Sequence, residues 1–109
     1  MQLQGPATRI TIYIGENDRH HGKPLHLVLL EQLRQAGAAG ATVVRGVAGF
    51  GAHSRIHSTS LVDLAANLPI RIEWVDQTEI VERLLPTVRA LVTEGLITRE
   101  EITVLHYAA

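Results

Sequence analysis

The sequence has no cysteine among its 109 residues, so disulfides, thiolate nucleophiles and cysteine-based zinc sites are excluded. It also lacks any apolar run near the ~20 residues that a membrane-spanning helix needs. The first residues, M-Q-L-Q-G-P-A, have neither the charged start nor the apolar core of a signal peptide. We therefore predict a soluble, cytoplasmic protein.

An excess of charge of one sign is missing too. Ten Lys and Arg residues are interspersed with eleven Asp and Glu residues, and the net charge is −1 with histidines neutral. The basic patch typical of nucleic-acid-binding proteins is absent, so we expect no nucleic-acid partner. Hydrophobic residues make up 46% of the chain and charged residues 19%, which argues against disorder. This length predicts a flexible tail at residues 1–7 and a single domain at 8–109.

Hydrophobic periodicity predicts six main elements. Apolar residues at every second position indicate strands, and apolar residues at helical spacing indicate helices. In order, these are a strand at 8–14, a helix from Pro24 to a stop at Gly37, a strand at 41–50, a strand from Pro69, a helix capped by Asp76 or Thr78 and ended at Gly95, and a strand at 102–107. Two short helical turns are also expected, one at Ser60 and Asp63 and one at Thr98 and Glu101. The β-α-β-β-α-β order predicts a ferredoxin-like α+β fold, with two helices on one face of a four-stranded antiparallel sheet.

The stretch 43–60, V-V-R-G-V-A-G-F-G-A-H-S-R-I-H-S-T-S, concentrates permissive backbone and hydrogen-bond donors. Gly49 and Gly51 flank Phe50, so the backbone there can adopt positive φ or approach another group closely. Arg55 offers a planar fork of donors that suits phosphate or carboxylate. We therefore expect the ligand-binding site in this stretch.

Metal binding is an alternative raised by two groups of side chains. The loop after the first strand carries carboxylates and imidazoles, which suit zinc, manganese or nickel. A polar loop in which Asp18 forms a turn has the same sequence. Two further histidines stand four residues apart, a spacing that chelates on a helix, although the surrounding residues do not favour a helix. The candidate ligands are Glu16, Asp18, His20, His21, His53 and His57.

Polar residues within the strands have two interpretations. We expect Arg45, Arg71 and Glu73 on the sheet face opposite Ile70 and its neighbours, where they form cross-strand or inter-subunit ion pairs. The other interpretation is an anion site near Arg45 and Arg55. No Ser-His-Asp order, paired-carboxylate signature or Walker-type loop is present, so no catalytic residues are predicted.

Four motifs together resemble a known bacterial family. They are I-Y-I-G-E-N-D-R-H-H-G-K-P-L, A-T-V-V-R-G-V-A-G-F-G-A-H-S-R-I-H, L-P-I-R-I-E-W-V-D and L-P-T-V-R-A-L-V-T-E-G-L-I-T. The chain resembles domain-of-unknown-function family 190, whose members are PII-like and CutA-like. This resemblance implies a ferredoxin-like subunit, a homotrimer and ligand clefts between subunits.

The resemblance extends to individual residues. Gly49, Phe50 and Gly51 match the Gly-Phe-Gly that leads into the mobile T-loop of PII proteins, where residues just after the motif help to hold nucleotide phosphates. Carried over to this chain, the resemblance implies that Gly51, Ala52, His53 and Arg55 line such a site. With the candidates from the residues themselves, the predicted ligand-binding site consists of Arg45, Gly49, Phe50, Gly51, Ala52, His53, Arg55 and His57. A second site in the first loop, where the family has a recurring pattern, consists of Glu16, Asp18, His21, Gly22 and Lys23.

One connection departs from PII proteins. They carry a Gly- and Lys-rich phosphate loop between the second helix and the last strand, whereas this connection reads T-E-G-L-I-T-R-E-E-I. We therefore predict a small anion as the ligand, and a nucleotide is one of the anions that this prediction includes. We expect a PII-like signalling protein whose mobile loop at 51–68 contacts a partner such as a membrane transporter. A CutA-like protein that binds a divalent metal and a small ferredoxin-fold enzyme are the alternatives.

Overall fold

The computed structural model describes residues 3–52, 56–58 and 67–109. Eight strands and two helices lie in this part of the chain. They are β1 (Gly5–Gly15), β2 (Arg19–His20), β3 (Lys23–Pro24), α1 (Leu25–Gln35), β4 (Ala41–Arg45), β5 (Ala48–Gly49), β6 (His57–Ser58), β7 (Pro69–Asp76), α2 (Thr78–Leu91) and β8 (Leu96–Val104). The predicted turn at Ser60 and Asp63 lies outside the described residues.

The main sheet has the strand order β4-β7-β1-β8, and every neighbouring pair is antiparallel. This order and the two helices confirm the predicted ferredoxin-like α+β fold. Alternate residues of β1 and β7, including Ile12, Ile72 and Trp74, are fully buried in the core. They pack against Leu29 of α1 and Val81 of α2, so the two helices cover one face of the sheet. Each large side chain buried in this way contributes about 1.5–3 kcal/mol.

Helix α1 follows the predicted pattern closely. Leu25, Leu29 and Leu33 recur every four residues and are all buried, so the helix presents one apolar stripe to the sheet. Gly37 ends the helix with φ of 87°, a left-handed conformation that favours glycine. The Ala38 amide then donates to the Leu33 carbonyl oxygen at 3.0 Å, closing the helix end as in a Schellman motif.

Helix α2 differs from the prediction at both ends. Gln77 occupies the N-cap position, and neither Asp76 nor Thr78 caps the helix with its side chain. Asp76 is instead fully buried, and its carboxylate accepts hydrogen bonds from Trp74 Nε1 and from the amides of Ala39 and Gln77. The helix also ends at Leu91 rather than at the predicted Gly95, and its C-cap is Val92.

Strands β1 and β8 both begin earlier than predicted. β1 begins at Gly5, which pairs with Val104, so part of the predicted tail belongs to the sheet. β8 covers Leu96–Val104 rather than 102–107, and it contains no turn at Thr98 and Glu101. The physical reason is pairing, because β1 offers nine consecutive partners to β8. Local helical propensity is overridden by such a ladder.

Candidate functional site

The first loop and the segment that returns into β7 are joined by hydrogen bonds. The Glu16 amide donates to the Leu68 carbonyl oxygen at 2.8 Å, and the Asn17 amide donates to Asn67 Oδ1 at 2.7 Å. Asp18 closes the loop, because its Oδ2 accepts from the Gly15 amide at 3.0 Å. The turn-forming interpretation of Asp18 therefore describes its contacts.

The predicted strand at 41–50 is divided in two. β4 ends at Arg45, and the Gly46 amide turns to the Pro69 carbonyl oxygen at 2.7 Å. A Cβ at Gly46 would lie 2.7 Å from Pro69 Cγ, and one at Gly49 would lie 3.1 Å from the same atom. Glycine is needed at position 46 because any larger residue would place its Cβ against the Pro69 ring.

We call the region formed by residues 15–18, 45–49 and 67–69 the junction. Its three segments are far apart in sequence and meet at one end of the sheet, where β1 and β4 end and β7 begins. The connection from α2 to β8 reaches the same end of β1. A Cβ at Gly95, whose φ is 148°, would lie 2.5 Å from the Tyr13 carbonyl oxygen.

Arg45 is the cation of the junction, and its predicted orientation is wrong. It lies opposite Ile70, and paired residues of an antiparallel ladder share a face, so Arg45 lies at the edge of the helix-covered face. Its Nη1 donates to Glu16 Oε2 at 2.9 Å. The Arg45 side chain is 59% exposed and the Glu16 side chain 30%, so this ion pair contributes about 0–1 kcal/mol to stability. Arg71 Nε lies 3.3 Å from Glu73 Oε1, but both residues belong to β7, so this ion pair runs along one strand and is not the predicted cross-strand pair. The inter-subunit pairing stays a prediction.

The Gly-Phe-Gly motif begins at Gly49, the last residue of the second junction segment, and continues out of the junction. Gly49 of β5 is opposite His57 of β6, and Ala48 is opposite Ser58. Phe50 is 71% exposed, and Gly51 and Ala52 are exposed as well. Within the described residues, Arg45 and Gly49 thus belong to the junction while Phe50 to Ala52 extend from it. His53 and Arg55 lie outside the described residues.

The first-loop histidines stack on each other. The ring centroids of His20 and His21 are 4.1 Å apart with an interplanar angle of 21°. His21 and Gly22 have positive φ, 49° and 80°, and connect β2 to β3, where Lys23 pairs with His20. In the part of the chain that the structure describes, no three His, Asp or Glu side chains are grouped so that they could hold a metal ion.

Comparison with known proteins gives the family. A family model, DUF190, described as "Uncharacterized ACR, COG1993", matches residues 7–104. The chain belongs to the DUF190 family. A UPF0166 protein of Aquifex aeolicus strain VF5 is 34% identical over 97 residues, which cover 89% of this chain and 91% of the relative.

Solved structures place the DUF190 chain in the PII-like fold. A candidate PII-like signaling protein from Thermus thermophilus has a TM-score of 0.67 at 21% identity, covering 95% of this chain and 94% of that one. The nitrogen regulatory PII-like protein CPII from Thiomonas intermedia K12, bound to ADP, AMP and bicarbonate, has a TM-score of 0.62 at 20% identity, covering 93% and 90%. With identities this low, the TM-scores show a shared fold alone. Among the described residues, no helix of the DUF190 chain has the length and apolar character needed to cross a membrane.

Three residues of the junction were missed by sequence reasoning. Asn17, Asn67 and Pro69 hold the first loop and the glycine-rich turn in place, yet they look like ordinary loop and strand-start residues. The one local signal was the sequence N-L-P at the start of the regularly alternating strand β7, because proline restricts the backbone where the strand begins. Their partners are about 20 to 50 positions away in this DUF190 chain, so local patterns do not reveal them.

Proposed function

We propose that this protein is a PII-like regulatory protein that binds a small anionic ligand, an adenine nucleotide, at the junction. The observation that carries this proposal is the position of Arg45. Its side chain is more than half exposed, and the residue lies directly before the backbone turn at Gly46. Arginine presents donors in a planar fork that suits phosphate oxygens. The bound ADP and AMP of the PII-like CPII support a nucleotide as the ligand.

The open face of the sheet supports the homotrimer that we include in this proposal. Leu96, Tyr13, Arg71 and Val44 are paired across all four strands of the sheet, on the face away from the helices. The three apolar side chains of this row are 41–55% exposed. An exposed apolar row across a sheet favours burial by another subunit. We propose that the ligand clefts lie between subunits assembled through this face.

We further propose that residues 51–68 contact a partner protein, a membrane transporter, from the cytoplasm. The support is the arrangement at the two ends of this segment. Both ends belong to the junction or extend directly from it, because Gly49 leads into the segment and Leu68 accepts a hydrogen bond from Glu16. A ligand at Arg45 would therefore bind beside both ends of the partner-binding segment, an arrangement suited to a ligand-controlled switch.

Calorimetric titration with ADP tests the proposed ligand. We expect wild-type protein to bind ADP and Arg45→Gln to bind it about 10-fold more weakly, because a hydrogen bond between charged groups contributes roughly 1.5–3 kcal/mol and part of that remains with a polar replacement. Arg34→Gln is the matched control, since Arg34 forms an ion pair with Glu31 on α1, away from the junction. Absence of ADP and AMP binding to the wild-type protein would contradict the proposal.

A further inference from the structure

We infer that Glu16 is an internal competitor of the ligand at Arg45 and that it restricts the junction to ligands with at least two negative charges. The inference rests on the proposed function, since it concerns the ligand of that same site. It starts from one contact, the 2.9 Å distance from Arg45 Nη1 to Glu16 Oε2. An anion that uses this edge of the guanidinium must first displace the carboxylate.

Glu16 is held beside Arg45 by its own backbone. Its amide donates to the Leu68 carbonyl oxygen at 2.8 Å, and the next amide, that of Asn17, donates to Asn67. On the other side, Asp18 accepts from the Gly15 amide. The Glu16 side chain can rotate, but these hydrogen bonds keep its backbone beside Arg45. The carboxylate therefore competes with the ligand for the guanidinium at the high effective concentration of a tethered group.

The charge of the ligand then determines whether it can displace Glu16 from Arg45. A monoanion such as bicarbonate would exchange one carboxylate–guanidinium contact for an equivalent one, and the displaced Glu16 would still repel it. A di- or trianion such as a nucleotide offers a second charge and bidentate oxygens to Arg45, and this interaction is stronger than the ion pair with Glu16 that it replaces. Glu16 thereby acts as a specificity-determining residue of the anion site.

The chain offers a matched control. Glu31 forms the same type of carboxylate–guanidinium pair with Arg34 on α1, and both residues are outside the junction. Glu31→Gln and Glu16→Gln each remove one negative charge and one surface ion pair. The change in net charge is therefore the same in the two variants, and each loses one exposed or partly exposed ion pair. A difference in anion binding between them reports the position of Glu16.

The test measures ADP and bicarbonate affinity by calorimetry for wild type, Glu16→Gln and Glu31→Gln. Surface ion pairs contribute up to about 1 kcal/mol, or about fivefold, and loss of direct repulsion adds to this. We expect Glu16→Gln to bind ADP about 3- to 10-fold more tightly and to acquire bicarbonate binding that the wild type lacks. Glu31→Gln should match the wild type within about twofold.

A double variant completes the test. In an Arg45→Gln background, the gain from Glu16→Gln should disappear, and persistence of the gain would show general repulsion instead of competition. Unchanged or weaker ADP binding by Glu16→Gln, with wild-type binding intact and thermal unfolding unaltered, would overturn this inference alone. Absence of both ADP and AMP binding by the wild type would overturn the proposed function and this inference with it.

Discussion

The Gly46 amide donates a hydrogen bond of 2.7 Å to the Pro69 carbonyl oxygen, and a Cβ at Gly46 would lie 2.7 Å from Pro69 Cγ. The end of β4 and the start of β7 are therefore in direct contact at the base of the segment 51–68. The same contact sets the position of Arg45, which immediately precedes Gly46. The geometry of the candidate anion site thus depends on a glycine that has no side chain to contribute.

Gly46→Ala tests this close approach. The added methyl group must displace the Pro69 ring or the backbone, so we expect a loss of about 1–3 kcal/mol in the free energy of unfolding, measured by urea titration. Gly51→Ala is the matched control, because a Cβ there meets nothing within 4 Å among the described residues and Gly51 does not have positive φ. It should stay within about 0.5 kcal/mol of the wild type. Equal stability of the two variants would contradict the assigned role of Gly46.

Asp76→Ala tests the hydrogen-bond network of the buried carboxylate at the end of β7, just before α2. The wild-type carboxylate accepts from Trp74 Nε1 at 3.0 Å, from the Ala39 amide at 2.8 Å and from the Gln77 amide at 3.0 Å. Removal leaves three donors without their acceptor, and we expect a loss of about 3 kcal/mol or more in the free energy of unfolding. Glu94→Ala, at an exposed position, serves as the control and should cost less than about 0.5 kcal/mol. A cost below about 1 kcal/mol for Asp76→Ala would argue against this network.

Glu101 predicts a dependence of stability on acid pH. Hydrogen bonds from Arg99 and then from Thr8 hold the pKa of Glu101 below its ordinary value of 4.5. A carboxyl group with a lowered folded-state pKa stabilises the fold above its unfolded-state pKa, and this contribution is lost as pH falls through the folded-state pKa. Between about pH 5 and pH 2 we therefore expect the melting temperature of Glu101→Gln to fall less than that of the wild type. In about 1 M NaCl the difference should shrink, since the Debye length is about 3 Å. Parallel pH profiles for both proteins would contradict the prediction.

Tyr13→Glu tests the proposed assembly through the open face of the sheet. Tyr13 is 41% exposed and lies between Leu96 and Arg71 in the row that crosses all four strands. A carboxylate buried in an apolar interface is strongly disfavoured, so sedimentation velocity should show the trimer replaced by monomer. Leu27→Glu is the control, because Leu27 is 52% exposed on α1, away from this face. A trimeric Tyr13→Glu protein would place the subunit contact elsewhere.

Much of the fold could be predicted from local patterns. Alternation along β7 separates Ile70, Ile72 and Trp74 from Arg71 and Glu73, and leucines every four residues set the buried face of α1. These patterns are visible because periods of two and 3.6 residues follow directly from backbone geometry. The ends of the strands and helices were harder to predict from the sequence. β8 was predicted to begin six residues late, because Thr98 and Glu101 have the capping spacing of a helical turn. Only the pairing with β1, including the Arg9–Glu100 ion pair, shows that this stretch is a strand.

The order of the main elements, the two apolar helix stripes and the residue types near the candidate site all follow from local sequence patterns. Three contacts do not: Glu16 with Arg45, Gly46 with Pro69, and the stacked first-loop histidines, which form no three-residue ligand group with Glu16. The difference lies in how far apart in sequence the contacting residues are. Periodicity reports which face of an element is buried, whereas the junction is made by contacts between segments about 20 to 50 positions apart, which arise only when the sheet brings its strand ends together.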